Sequence, residues 1–303
     1  MSDRIQQLTV FTRAADGGSF SRAARELGLS QPSVSRIVSE LEARIGVKLV
    51  LRTTRRLTLT DAGAAFLTRA RRILLELEDA EDVARGIDSL RGTIRVALPV
   101  LFGTRAVIPR LPEFLARHPE LRVKLMLADE RQNLVVEGAD LAIRIGPLDD
   151  SGFGARKIAT TERWVAATPA YLEARGVPRT PADLAGHECI FGPGGSGRER
   201  WTFARAGKTV SVAVRGRVRT DSGAGMFACL MAGMGIAIAS DVMSGPEIES
   251  GALVRLLPGW AMEGGDVYAV FPAGPRPSAK VRALVDHIAR NLEVRPWAQR
   301  RHG

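Results

Sequence analysis

Cysteine, tyrosine and tryptophan are scarce in this chain. Its 303 residues include 2 cysteines, 2 tyrosines and 4 tryptophans, and aromatics make up only 5%. Cys189 and Cys229 stand apart without metal or redox spacing, which removes a disulfide scaffold, a zinc ribbon and a Cys-x-x-Cys motif. Both read as small apolar residues of a reducing compartment. His118, His187, His287 and His302 are equally scattered, and His187-Glu188-Cys189 is too local for a tetrahedral site. No metal and no cofactor is therefore expected. No apolar run approaches the ~20 residues of a membrane helix, and no charged-then-apolar leader opens the chain. A cytoplasmic protein without a membrane partner is the expectation. No Ser-His-Asp arrangement is legible, and the glycine-rich stretch 192–197 lacks the lysine and hydroxyl of a phosphate loop. Gly233-Met234-Gly235 looks like half a dinucleotide fingerprint, but it joins helix to strand, the reverse order, and helix capping explains it. The chain reads as no enzyme.

What the chain has in excess is positive charge. The formal net charge is +10 and the isoelectric point about 10.6, which favours an anionic partner, nucleic acid or an acidic membrane surface. From Met1 to Thr60, ten Lys or Arg stand against five Asp or Glu. Half of the excess thus lies in a fifth of the chain, and the patterning there decides between the two partners.

Residues 5–15 read as a helix with Leu8, Phe11 and Ala15 on one face, ended by Gly17-Gly18. Ser19 is an N-cap for a second helix that turns Ala23, Ala24 and Leu27 inward. Gly28 allows a sharp turn, Leu29 plugs it, and Ser30 caps a third helix. That helix opens Gln31-Pro32, where proline's missing amide proton costs little. Val34, Ile37, Val38, Leu41 and Ile45 recur at steps of three and four, an apolar stripe. At about 100° per residue, Pro32, Arg36 and Ser39 point the opposite way, with Ser33 and Ser35 on the flanks. This outer face is small, neutral or cationic, so it can enter a major groove. Gln31, Ser33 and Arg36 carry hydrogen-bonding groups for base edges or phosphates. Glu40 and Glu42 follow, which predicts docking by the N-terminal half.

After Gly46, residues 47–59 read as two short strands around a polar tip. Arg52, Thr53, Thr54, Arg55 and Arg56 there suit phosphate and minor-groove contact. A basic hairpin alone is usually just solvated; behind two correctly spaced helices it completes a winged helix-turn-helix. Ser19-Phe20-Ser21-Arg22-Ala23-Ala24, Leu29-Ser30-Gln31-Pro32-Ser33-Val34-Ser35-Arg36 and Leu41-Glu42-Ala43-Arg44-Ile45-Gly46-Val47-Lys48-Leu49 closely resemble the N-terminal signature of LysR-type transcriptional regulators. The likeness runs on without a gap over residues 52–63. Gly92-Thr93-Ile94-Arg95-Val96 and the stretches 109–114, 140–146 and 232–237 resemble landmarks of that family's effector domain.

Thr60 is placed to cap a further helix, with Asp61 in its positive first turn. Along it Phe66, Ala70, Ile73, Leu77, Ala80, Ala84 and Ile87 alternate steps of four and three, a heptad-like seam of about three heptads. So narrow a seam on so long a helix suits a second helix better than a broad core, with packing on its own domain as the alternative. The resemblance implies an antiparallel dimerisation helix in a homodimer or homotetramer. Two recognition helices on a dimer would read a site with dyad symmetry.

Beyond Gly92, apolar strands alternate with helices. Strands are expected at 94–99, 121–127 and 141–145, with helices at 104–117 and 132–137. A second set follows, with strands at 163–167, 236–239 and 267–271, helices near 169–174 and 225–232, and a closing helix at 280–292. The rhythm argues for a parallel sheet covered on both faces. The resemblance implies an α/β fold class: a winged helix-turn-helix at 1–60, a linker helix at 61–90, and a two-lobed effector domain of periplasmic-binding-protein type II at 91–303. Lobe I would span about 91–161 and 266–303 and lobe II about 162–265, with crossings near Thr161 and Gly265.

Ligands of such folds sit at the carboxyl ends of strands, in the crevice between lobes. That singles out Val100, Leu101, Phe102, Gly103 and Thr104 after the first strand, and Asp129 and Glu130 after the second. Arg144 and Gly146 end the third, Trp201 lies in the second lobe, and Asp221 and Ser222 precede the helix at 225. Many relatives bind their effector through a Ser or Thr right after the first strand's turn. Here Leu101 and Phe102 fill that stretch and the first hydroxyl is Thr104, which points to a more apolar ligand edge. The resemblance implies a regulator of double-stranded promoter DNA modulated by a small molecule, an organic acid in much of the family, with RNA polymerase as a further partner. The lobes alone would also fit a solute-binding protein, which the N-terminal segment opposes.

Overall fold

The structure, a computed structural model, describes residues 3–52, 57–84, 90–129, 138–148, 153–193 and 199–293. Thr53, Thr54, Arg55, Ile87, Glu130 and the helix expected at 132–137 lie outside these, as do the side chains of Arg52 and Ala84. Among the described residues no helix is long and apolar enough to cross a membrane.

Helices α1 (Arg4–Gly17), α2 (Phe20–Leu27) and α3 (Gln31–Ile45) open the chain. The second and third starts are set by hydroxyls. Ser19 Oγ accepts from the Arg22 amide at 3.4 Å and Ser30 Oγ from the Ser33 amide at 3.2 Å, caps worth about 1 kcal/mol each. Gly28 between them takes φ +66°, a conformation that a side chain resists. Phe11, Ala14, Ala23, Val34, Val38 and Leu41 are fully buried in one core. Strands β1 (Val50–Arg52) and β2 (Leu57–Leu59) pair antiparallel, Val50 opposite Leu59. Helix α4 (Asp61–Ala84) follows, with Thr60 Oγ1 accepting from the Gly63 amide at 2.9 Å. A Cβ on Gly63 would lie 1.9 Å from the Leu49 carbonyl oxygen, so wing and helix meet backbone to backbone. Phe66 packs edge-on against Phe11 at 5.5 Å. It belongs to the winged-helix core, whereas Ile73 and Leu77 farther along α4 are 46% and 36% exposed.

Strand β3 (Gly92–Leu98) opens the C-terminal part. The helical run after it starts at Val100, a turn earlier than expected: α5 (Val100–Phe102), a π-helical turn (Gly103–Val107), a 3-10 turn (Ile108–Arg110) and α6 (Leu111–Arg117). Then come β4 (Leu121–Leu127), β5 (Leu141–Ile145), β6 (Gly154–Ala167), α7 (Pro169–Arg175), β7 (Glu188–Phe191), β8 (Glu199–Arg205) and β9 (Lys208–Arg219). The chain continues with α8 (Gly223–Met231), β10 (Ile236–Ser240), α9 (Asp241–Glu249), β11 (Val254–Leu256), β12 (Met262–Phe271) and α10 (Ala279–Glu293).

In the sheet order β4-β3-β5-β12-β6-β10-β7-β9-β8, with β11 beside β6, β6 and β12 link two lobes. The first lobe buries Ile94, Phe102, Phe114, Ile143, Leu284 and Ile288; the second buries Val165, Leu184, Phe191, Trp201, Phe203 and Ile236. Strand β6 is far longer than the segment expected at 163–167, because it serves both lobes. Its residues 154–163 pair with β12 and its last residues with β10 and β11. Thr161 stands opposite Gly265 and donates its hydroxyl to that carbonyl at 2.9 Å, buried. The β8–β9 hairpin, which the sequence reading leaves out, turns on Ala206 and Gly207 at φ +49° and +77°. Two left-handed residues make the tight turn that matches strand twist.

Candidate nucleic-acid interface and inter-lobe cleft

On α3, Ser30, Gln31, Pro32 and Arg36 are exposed, with Ser33 and Ser35 half-buried. The Ser30 and Ser33 hydroxyls sit 2.8 Å apart, tied at the helix entry. Arg36 keeps 72% of its side chain exposed and meets Glu40 only at 3.7 Å. So loose a surface pair contributes little and yields readily to a base edge or phosphate. Arg52 ends β1 opposite Leu57. Glu42 departs from expectation: it does not share the outer face. It is 3% exposed, and its carboxylate accepts from the amides of Leu49 at 2.9 Å and Val50 at 3.1 Å and from Lys48 Nζ at 2.8 Å. Burial pushes this carboxyl's pKa up, but the Lys48 and backbone donors outweigh burial and hold it below the ordinary value. Glu42 thereby ties the wing to the recognition helix. The signal is in the sequence: at about 100° per residue, Glu42 falls about 80° from Val34, on the edge of the apolar stripe.

Between the lobes, α5 packs against α8 and α9. Asp129, just past β4, accepts from the Val100 amide at 3.0 Å on its own lobe. Its other oxygen accepts from the Ser222 hydroxyl at 2.7 Å and the Gly223 amide at 2.9 Å, at the start of α8 on the opposite lobe. Val100, Asp129 and Ser222 therefore converge, as their places at strand ends suggest. Leu101 faces the same start, since a Cβ on Gly223 would lie 4.0 Å from both Leu101 Cβ and Asp129 Oδ2. Thr104 is exposed, and its hydroxyl donates to the carbonyls of Val100 and Leu101, 3.1 Å from each. Gly103 is buried, with Leu127 where its Cβ would go, at 2.6 Å. Arg144 lies opposite Tyr268 at the end of β5, and Gly146, at φ +94°, donates its amide to Asp266 O at 2.9 Å. Asp221 is exposed beside Ser222.

Two of these residues are elsewhere. Phe102 is 2% exposed in the first lobe's core, because the helix begins at Val100 and turns it inward, so it forms no ligand edge. Trp201 is 4% exposed and packs edge-on against Phe191 at 6.3 Å in the second lobe's core. Its i, i+2 partner Phe203 is the sequence signal for a buried strand face. Sequence reading also misses Arg105, which meets Glu247 of α9 at 2.7 and 2.9 Å and lies 4.3 Å over the Phe227 ring. No local pattern joins residues so far apart in the chain.

Comparison with known families decides what this arrangement is. The family model "Bacterial regulatory helix-turn-helix protein, lysR family" matches residues 5–64 and "LysR substrate binding domain" matches residues 88–293. The chain belongs to the LysR family of transcriptional regulators. This LysR-type regulator is 33% identical over 297 residues to the HTH-type transcriptional regulator CrgA of Neisseria meningitidis, covering 96% of this chain and 98% of the relative. It is 33% identical over 294 residues to the regulator PtxR of Pseudomonas aeruginosa, covering 97% and 94%. The solved structure of CrgA matches with a TM-score of 0.58 at 31% identity, over 98% of this chain and 99% of that one. The full-length virulence activator AphB of Vibrio cholerae matches with 0.57 at 25% identity, over 94% and 98%. The LysR-type regulator thus combines a DNA-binding winged helix-turn-helix with a two-lobed, periplasmic-binding-protein-like effector-binding domain.

Proposed function

We propose that this LysR-type regulator reads promoter DNA of dyad symmetry through Ser30, Gln31, Pro32, Ser33, Ser35 and Arg36, with the wing residues from Arg52 to Arg55 on the backbone. The observation that carries this reading is the exposed, hydroxyl-and-cation leading half of α3 on a rigid core. The working domains are the winged helix-turn-helix at 1–60, the linker helix at 61–90 and the effector domain at 91–303, its lobes exchanging chain near Thr161 and Gly265. Exposed Ile73, Leu77 and Ala80 on α4 support pairing with a second copy, in a homodimer or homotetramer. The cleft bounded by Val100, Leu101, Asp129 and Ser222 takes a small organic acid, whose arrival changes how the paired helices sit on DNA. The chain acts in the cytoplasm, where its promoter lies, contacts RNA polymerase there and catalyses no reaction. The test is a titration of duplex DNA at increasing salt. Binding that neutralises several phosphates falls steeply as salt rises; a protein without a duplex interface shows no such slope.

A further inference from the structure

The two lobes are bridged by the protein's own carboxylate. Strand β4 continues its ladder with β3 through the Ala128 amide, which donates to Leu98 O at 3.1 Å. That bond sets Asp129 directly over the turn where the Val100 amide is unused by the strand. The Leu127 side chain fills the place of a Cβ on Gly103, which fixes the end of β4 against the π-helical turn. From this seat Asp129 spans the cleft: one oxygen takes the Val100 amide, the other the Ser222 hydroxyl and the Gly223 amide. Ser222 is itself fixed, since its oxygen also accepts from the Gly225 amide at 3.3 Å as the cap of α8. Three donors from two lobes thus converge on one carboxylate, a set of donors suited to a bound anion. Arg105, following α5, and Glu247, on α9, add a second bond between the lobes.

We propose that Asp129 is a tethered stand-in for a carboxylate ligand. The lobes close on it in the absence of effector, and an acidic effector acts by taking over the Val100, Ser222 and Gly223 donors and displacing Asp129. This rests on the reading of the cleft as the effector site and deepens it: the effector's acid group is assigned to these three donors. The bland alternative is a carboxylate that merely caps α8. A simple cap uses only Ser222 and Gly223; the bond from the Val100 amide on the other lobe makes Asp129 a bridge as well.

The experiment uses the full-length protein as Asp129→Ala, with formate, the smallest carboxylate, as probe and chloride at equal ionic strength as control. Removing the carboxyl group leaves room for formate among the same donors. The expected result is a lower Tm for the variant in chloride and a formate-dependent, saturable rise toward the wild-type Tm, while the wild type gains nothing from formate beyond chloride. Asp129→Asn keeps the volume but turns an amide toward donors, so its lowered Tm is expected not to respond to formate. An unchanged Tm in Asp129→Asn, or an equal formate response in wild type and Asp129→Ala, overturns the proposal. Duplex affinity measured alongside separates the two readings. Rescue of Tm with no change in DNA binding upholds Asp129 as a ligand mimic while refuting the coupling of cleft to promoter.

Discussion

Arg36 and Glu42 share one helix and do opposite work. Arg36 faces outward with a weak ion pair, so its guanidinium is available to DNA. Arg36→Ala is expected to cost about 1–3 kcal/mol of specific binding with little loss on random duplex, if it reads a base. Competition titration with both DNAs measures this, and an equal loss on both makes Arg36 a phosphate contact. Glu42 faces inward and accepts two amides of the wing. Both amides share one oxygen, Oε1, so Glu42→Gln keeps them as weaker, uncharged bonds and turns its amide nitrogen toward Lys48 Nζ in place of the ion pair, at a cost of about 1 kcal/mol. The pH dependence follows from the lowered pKa. A carboxyl that titrates below its ordinary 4.5 in the fold contributes stability above that pH and loses it as pH falls through the folded value. Acid unfolding of the wild type should therefore steepen below pH 4.5, and Glu42→Gln should flatten that part of the curve. Identical acid curves would remove Glu42 from the account.

At the scale of elements, what is local is legible. The hydroxyl caps at Ser19, Ser30 and Thr60 are read from the sequence because each cap reaches only its own first turn. The stripe of Val34, Ile37, Val38 and Leu41 is read because it repeats with the helix. The start of the helix after β3 is misread, since Pro99 and a π-helical turn replace the regular pattern there. The hairpin of β8 and β9 is missed for want of an Asn-Gly or Asp-Gly turn; Ala206 adopts the left-handed conformation without advertising it. For α4, the exposed seam makes a direct prediction. Leu77→Asp puts a charge where Ile73 and Leu77 would meet a second helix. Sedimentation should show a smaller species than wild type at equal concentration, and an unchanged oligomer contradicts the pairing role.

Over the whole molecule, the contacts that join the lobes lie between residues far apart in the chain, where no local pattern reveals them. Asp129 with Ser222 and Arg105 with Glu247 join the two lobes, yet strand ends alone point only to the first pair. Arg105→Ala leaves Glu247, 16% exposed, without its cation, at a cost of about 1–3 kcal/mol. Hydrogen exchange should then quicken in α9 and at the start of α8 while the amides of α3 keep their protection. Equal exchange throughout would mean that this ion pair does not hold the lobes.

The most direct measurement of the central claim is recovery of genomic DNA fragments by the purified full-length protein at physiological salt. A few intergenic sites, each with a dyad, are expected to be recovered, and to be lost with Arg36→Ala. Uniform, weak retention of all fragments, unaffected by that substitution, would contradict the claim.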